Sequence, residues 1–155
     1  MKKKILFILF YLFLNLSFVF GNQNTIPFEN GLFFKVIEEQ ESGLLKFKII
    51  SNLPDETELV ITLENTSYYG GNSVKVKNGI AESDCFSNKG KRLSKGTYHL
   101  EIVSVFEYAQ ENEKVREILG EGGKNLKGKY VSTEVDPFLN KKNTFIKYNK
   151  DIIIK

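Results

Sequence analysis

The sequence contains one cysteine, Cys85, one histidine, His99, and no tryptophan. A lone cysteine cannot form an intramolecular disulfide, so the fold has to be stabilised by its hydrophobic core. Cys85 and His99 are too few for a transition-metal site, and a Ser-His-Asp or Cys-His catalytic centre would need His99. We therefore expect no metal, no cofactor and no catalytic residues, and we place His99 on the surface or between sheets.

A long apolar run occurs once, near the start of the chain. Residues 2–4 are lysines, and residues 5–20 are apolar apart from two positions. A positive segment before a short apolar run is typical of a secretory signal peptide. The run is shorter than the about 20 apolar residues that a membrane-spanning helix needs. We predict a signal peptide over 1–21, cut between Gly21 and Asn22, and a secreted, periplasmic or cell-envelope location. An uncut segment would instead anchor the chain in the membrane.

The net positive charge belongs to that leader. The whole chain carries a formal charge of +3, and without its three leader lysines it has 19 basic and 19 acidic residues. A balanced chain has no overall field that attracts nucleic acid. We expect no nucleic-acid partner, and contact with a membrane only through an uncut leader.

Residues 22–155 are predicted to form one all-β domain. Leu59, Ile61 and Leu63 alternate with more polar neighbours, as in a half-buried strand. Similar patterns, separated by turn residues, predict strands over 32–38, 44–51, 57–64, 96–105, 129–135 and 144–148, with 152–154 extending the last strand or forming a short edge. One helix is predicted over Ala109–Leu119, and a loop over Tyr68–Asn72.

The Asn78-Gly79 pair predicts a two-residue hairpin. Both residues tolerate the positive φ angles of a type I′ turn. Strands over 73–77 and 80–86 would then place Lys75 opposite Glu82. The same alternation predicts that Cys85 is buried and inert.

Two segments resemble exported bacterial immunoglobulin-like domains. Residues 93–98, with the sequence LSKGTY, are similar to the L-x-x-G-x-Y turn of such domains, in which the tyrosine hydrogen-bonds nearby backbone. Residues 52–57, with the sequence NLPDET, are similar to their N-L-P-D-G-T segment, with Glu56 in place of glycine. The similarity extends over most of 32–131. It implies an immunoglobulin-like Greek-key β-sandwich with one short helix inserted late, and it implies no catalytic residue.

Two groups of residues are candidates for binding. Tyr68 and Tyr69 precede two glycines and would present aromatic contact area. A basic loop could contact an acidic polymer such as a teichoic acid; its candidate residues are Lys89, Lys91, Arg92 and Lys95.

These features predict an exported, non-catalytic binding or structural module whose partner is a protein or a cell-envelope polymer. Two alternatives remain at this level. One is an extracellular enzyme inhibitor or a small secreted enzyme. The other is an envelope scaffold in which an edge strand, 144–154, pairs with a partner chain.

Overall fold

The computed structural model describes residues 28–41, 44–137 and 139–155. The predicted signal peptide, 1–21, lies outside the described residues. The strands are β1 (Phe34–Glu41), β2 (Leu44–Ser51), β3 (Glu58–Asn65), β4 (Tyr68–Lys75), β5 (Ile80–Glu82), β6 (Gly96–Ser104), β7 (Val131–Val135) and β8 (Lys142–Ile154). One short helix, α1 (Glu113–Leu119), lies between β6 and β7.

The described strands form two antiparallel sheets. The smaller has the order β1-β2-β5, and the larger has the order β4-β3-β6-β8-β7. The all-β prediction with a single late helix is therefore confirmed. β8 follows β6 in the strand order, but its two neighbours pair with different parts of it: β7 with residues 142–146 and β6 with residues 147–154. Among the described residues no strand pairs with the other side of 147–154, so the structure leaves open the edge position that the scaffold alternative requires.

The core lies between the two sheets and follows the period-two pattern of the sequence. Leu59, Ile61 and Leu63 of β3 are fully buried, as predicted. Residues of β2 and β6 complete this layer: Leu45, Phe47, Ile49, Tyr98, Leu100 and Ile102. Burying each such side chain contributes about 1.5–3 kcal/mol, which explains why one face of β2, β3 and β6 is apolar.

The Asn78-Gly79 turn forms as predicted, but the segments on either side of it pair with each other only at Lys77 and Ile80. Asn78 has φ 52° and Gly79 has φ 74°, and Lys77 and Ile80 exchange backbone hydrogen bonds of 2.8 and 3.0 Å. Beyond this pair the two segments join different sheets, because β4 pairs with β3 and β5 pairs with β2. The predicted pairing of Lys75 with Glu82 is therefore wrong.

Cys85 is exposed, so the prediction of a buried thiol is also wrong. β5 ends at Glu82, and the alternation of buried and exposed residues on which the prediction relied continues to Asp84 but not to Cys85. Phe86 is buried instead, and its ring makes a T-shaped contact with that of Phe47, with the ring centroids 5.4 Å apart.

Three other predicted boundaries differ from the structure. Tyr68–Asn72, predicted as a loop, belongs to β4, which pairs with β3 along its whole length. Strand β1 continues to Glu41, three residues past its predicted end. β8 begins at Lys142 instead of at residue 144, and it runs without a break to Ile154, so that 152–154 extend the last strand, which is one of the two predicted alternatives.

The predicted helix over Ala109–Leu119 is four residues too long at its start. Asn112 is the N-cap, and its side-chain oxygen accepts a hydrogen bond of 2.9 Å from the amide of Lys114. Gly120 follows with φ 71°, a conformation that glycine adopts without strain.

Glu56 is in the left-handed region, with φ 68°. A residue with a Cβ atom costs roughly 1–2 kcal/mol there, whereas glycine has no such penalty. We expect Glu56→Gly to raise the free energy of unfolding by about 0.5–1 kcal/mol in urea denaturation. The control is Asp55→Gly, because Asp55 does not have positive φ. This substitution should not raise the free energy of unfolding. A Glu56→Gly variant less stable than the parent would contradict this account.

Candidate functional site

The predicted basic loop, which we define as residues 87–95, has a fixed backbone. Lys89 and Gly90 form a two-residue turn with φ 53° and 78°, closed by paired backbone hydrogen bonds of 2.9 and 3.0 Å between Asn88 and Lys91. At its far end the hydroxyl of Tyr98 donates a 3.0 Å hydrogen bond to the carbonyl of Ser94. The loop is therefore held at both ends, and its four cationic residues, Lys89, Lys91, Arg92 and Lys95, are all exposed.

The basic loop contains no acidic residue. Among the residues that the structure describes, Lys89, Lys91 and Lys95 form no salt bridge. The sheet surface differs, because Glu82 binds the ammonium groups of Lys46 and Lys48, each at 2.9 Å. Hydrogen bonds from these two lysines lower the pKa of Glu82 to about 2. Cations without such partners remain available to an external anion.

Tyr68 and Tyr69, which were predicted to present aromatic contact area, lie on opposite faces of β4. Tyr68 is half-buried, and its ring makes a T-shaped contact with that of Tyr98, with the ring centroids 5.8 Å apart. Burial raises the pKa of the Tyr68 hydroxyl. Tyr98 in turn hydrogen-bonds Ser94, so Tyr68 packs beneath the basic loop. Tyr69 is 72% exposed on the outer face of the larger sheet, and the structure does not bring it to the same surface.

His99 is exposed on the outer face of the larger sheet, as the prediction of a surface position required. Its Nδ1 lies 3.1 Å from a carboxylate oxygen of Asp151 on β8. Its register neighbour on β3 is Glu64. The residues paired with His99 on the two neighbouring strands are therefore both carboxylates. Neither of them is a hydroxyl residue that could act as a nucleophile.

Sequence reasoning missed a cleft at the opposite end of β6 from the basic loop. The cleft has a volume of about 310 Å³ and lies between the 3₁₀ turn Glu107–Ala109, the turn Glu121–Gly123 and the start of β8. The residues that define it here are Glu107, Tyr108, Glu121, Lys141, Lys142 and Asn143.

Tyr108 forms a rigid aromatic wall of this cleft. Its side chain is 47% exposed, and its hydroxyl donates a 2.8 Å hydrogen bond to Asp136. That hydrogen bond raises the pKa of the phenol, since ionisation would place two negative charges together. The ring of Phe106 packs 5.8 Å away on a tilted plane.

Asn143 is the unusual polar residue of the cleft. It is 2% exposed, and its Nδ2 is the one buried side-chain nitrogen or oxygen without a hydrogen-bond partner among the residues that the structure describes. A buried donor without an acceptor costs about 1–3 kcal/mol, so its retention calls for an explanation.

The cleft draws its residues from segments that are far apart in sequence, namely 107–108, 121–122 and 139–143. The available signal was the irregular glycine-rich connection after the helix. Gly122 and Gly123 fold back onto β8 there, which a linear pattern does not reveal.

No protein-family model, curated protein or solved structure matches this chain. Within 28–41, 44–137 and 139–155, no helix is both long and apolar enough to span a membrane. The same residues contain no group of three or more His, Cys, Asp or Glu side chains arranged to hold a metal ion.

Proposed function

We propose that the protein is an exported, non-catalytic, immunoglobulin-like module that binds an acidic polymer of the bacterial cell envelope. The observation that carries this proposal is the basic loop, a fixed segment without an acid. Three of its exposed lysines, Lys89, Lys91 and Lys95, form no salt bridge with any residue that the structure describes. Export is proposed from the leader sequence.

The basic loop suits a polymer better than a small anion. Each exposed lysine contributes little by itself, because water and salt screen the charge. A repeating anion contacts several lysines at once, and the later contacts are then effectively intramolecular. Since the chain outside the leader has balanced charge, no overall field attracts the polymer, and the attraction has to come from local groups such as this loop.

Two local contacts support the immunoglobulin-like assignment. Tyr98 hydrogen-bonds the Ser94 carbonyl, which is the kind of contact that the tyrosine of the L-x-x-G-x-Y turn makes in the domains it resembles. Glu56 has the positive φ that accounts for glycine at the corresponding position of the N-L-P-D-G-T segment. The non-catalytic assignment is supported by His99, which is exposed between two carboxylate residues.

The proposal is tested by binding to polyglycerol phosphate, with uncharged dextran as the comparison polymer. We expect Lys89→Gln, Lys91→Gln and Lys95→Gln together to weaken binding by at least about tenfold at low salt. The matched control removes three other exposed lysines, with the substitutions Lys124→Gln, Lys127→Gln and Lys129→Gln.

The control changes the net charge by the same amount but leaves the basic loop intact, so binding should fall by less than about twofold. Equal losses in the two triple variants would show that only overall charge matters. That result, or an affinity for dextran equal to that for polyglycerol phosphate, would overturn the proposal.

A further inference from the structure

Residues 147–154 of β8 form a strand edge that no described strand covers. β6 pairs with one side of this segment. On the other side β7 stops at its start, where the amide of Lys147 donates a 2.8 Å hydrogen bond to the carbonyl of Tyr130. Alternate residues of an antiparallel strand direct their backbone groups to the same side. Asp151 and Ile153 therefore direct theirs away from β6, as Lys147 does, toward a position that another strand could take.

The side chains at the end of this edge are apolar and exposed. Ile153 is 68% exposed on the outer face of the larger sheet, between the buried Ile152 and the half-buried Ile154. An unpaired edge with an exposed isoleucine is a template for pairing with another chain. Asp151 precedes the three isoleucines and Lys155 follows them, so residues 151–155 have the sequence DIIIK, with one charge of each sign at its ends.

This segment is complementary to itself when two copies of it run antiparallel. If the twofold axis passes through Ile153, Asp151 lies opposite Lys155 of the second copy. Ile152 then lies opposite Ile154, and the two Ile153 side chains lie opposite each other. Opposite charges and β-branched pairs both stabilise directly opposed positions. The backbone phase fits as well, because Asp151 and Ile153 are the residues whose amides and carbonyls point outward.

Other antiparallel registers are less favourable. An axis through Lys150 would place two ammonium groups opposite each other, and an axis through Asp151 would do the same with two carboxylates. An axis through Asn149 would require Lys147, whose amide is already hydrogen-bonded on that side. An axis through Ile152 would form no ion pair. The sequence of the edge therefore favours a single register.

We propose that two copies of the chain pair antiparallel through residues 151–155, with the twofold axis at Ile153, and join their larger sheets into one continuous sheet. The same segment of each copy forms the contact, as is usual for a twofold dimer. The paired segment is short, so the dimer should be weak, with a dissociation constant of about 10–100 µM.

Pairing would bring the two basic loops close together. Gly96, the first residue of β6 after the loop, pairs with Ile154. Three strand spacings of about 4.8 Å separate the β6 strands of the two copies, so the loops would end roughly 15 Å apart. A polymer that reaches both loops would gain from the high effective concentration of the second. This consequence rests on the proposed polymer binding, whereas the pairing itself does not.

The test is analytical ultracentrifugation, without polymer, of the protein purified after export. The parent should change from monomer to dimer between about 5 and 500 µM. Ile153→Pro removes an outward amide but no hydrogen bond to β6, so it should weaken dimerisation at least about tenfold. If that variant does not fold, variants of the exposed charges at the two ends of the segment decide the question.

Asp151→Lys and Lys155→Asp should each weaken dimerisation at least about tenfold, because each places like charges opposite each other at both ends of the contact. An equimolar mixture of the two variants should dimerise as the parent does, because every charge then meets its opposite across the heterodimer. The matched control is Lys77→Asp, which makes the same charge change as Lys155→Asp at an exposed residue beside the Asn78-Gly79 turn. It should change the dissociation constant less than about twofold.

A parent that stays monomeric at about 500 µM would overturn the inference. A mixture of the two charge variants that stays monomeric would also overturn it, as would equal effects of Lys155→Asp and Lys77→Asp. The triple variant of the basic loop should dimerise like the parent. Loss of polymer binding and loss of pairing are therefore observed separately.

Discussion

Gly123→Ala should lower the free energy of unfolding by at least about 3 kcal/mol. Gly123 is buried and has φ 71°, a conformation that costs alanine roughly 1–2 kcal/mol. A Cβ atom there would also overlap the carbonyl oxygen of Thr144 and lie 3.0 Å from its carbonyl carbon. Both are backbone atoms of β8, so the strand or the turn has to move.

Urea denaturation at equilibrium measures this effect, with Gly71→Ala as the matched control. Gly71 also lies in the larger sheet, but a Cβ there would meet nothing within 4 Å and its φ is not positive. We expect the control to change stability by less than about 0.5 kcal/mol. If Gly123→Ala changed the free energy of unfolding no more than Gly71→Ala does, the packing of this turn against β8 would be wrong.

Gln110→Ala should lower the free energy of unfolding by about 3 kcal/mol. The Gln110 side chain, which is 1% exposed, continues the β3–β6 pairing beyond the strand ends. Its Oε1 accepts from the amide of Glu58 at 2.8 Å, and its Nε2 donates to the carbonyl of Val105 at 2.8 Å. Truncation leaves both backbone groups without these partners, at about 1–3 kcal/mol each.

The comparison for this variant is Gln40→Ala, which removes the same side chain from an exposed position on β1. Its effect on the urea midpoint should be within the range of a neutral surface change, about 0.5 kcal/mol. Gln110→Leu separates the effect of side-chain volume from that of hydrogen bonding. Leucine fills the space but cannot hydrogen-bond the backbone of Glu58 or Val105. A leucine variant as stable as the parent would show that these hydrogen bonds do not stabilise the fold.

Patterns within a single strand predicted the described fold well, and pairing between strands was predicted less well. Leu59, Ile61 and Leu63 reached the core because alternation alone fixes which side chains share a face. The Asn78-Gly79 turn was predicted because its φ angles depend on only two residues. The choice of partner strand beyond that turn depends on β2 and β3, which are distant in sequence, and the pairing of Lys75 and the burial of Cys85 were wrong for that reason.

The candidate sites differ in the same way. The basic loop is a continuous segment, so its four cations could be identified from composition, whereas its lack of salt bridges at Lys89, Lys91 and Lys95 could not. The cleft depends on two glycines that let a turn lie against β8 and on Tyr108 being held by Asp136. No local pattern encodes contacts of that kind.

The position of β8 has a consequence for how the larger sheet is assembled on the ribosome. β6 pairs on one side with β3, which is synthesised earlier. Its other side pairs with residues 147–154, which are synthesised more than 40 residues later. A nascent chain therefore carries an uncovered strand edge until those residues emerge. Such an edge is open to pairing with other chains, so conditions that slow elongation after residue 104 should favour aggregation during synthesis.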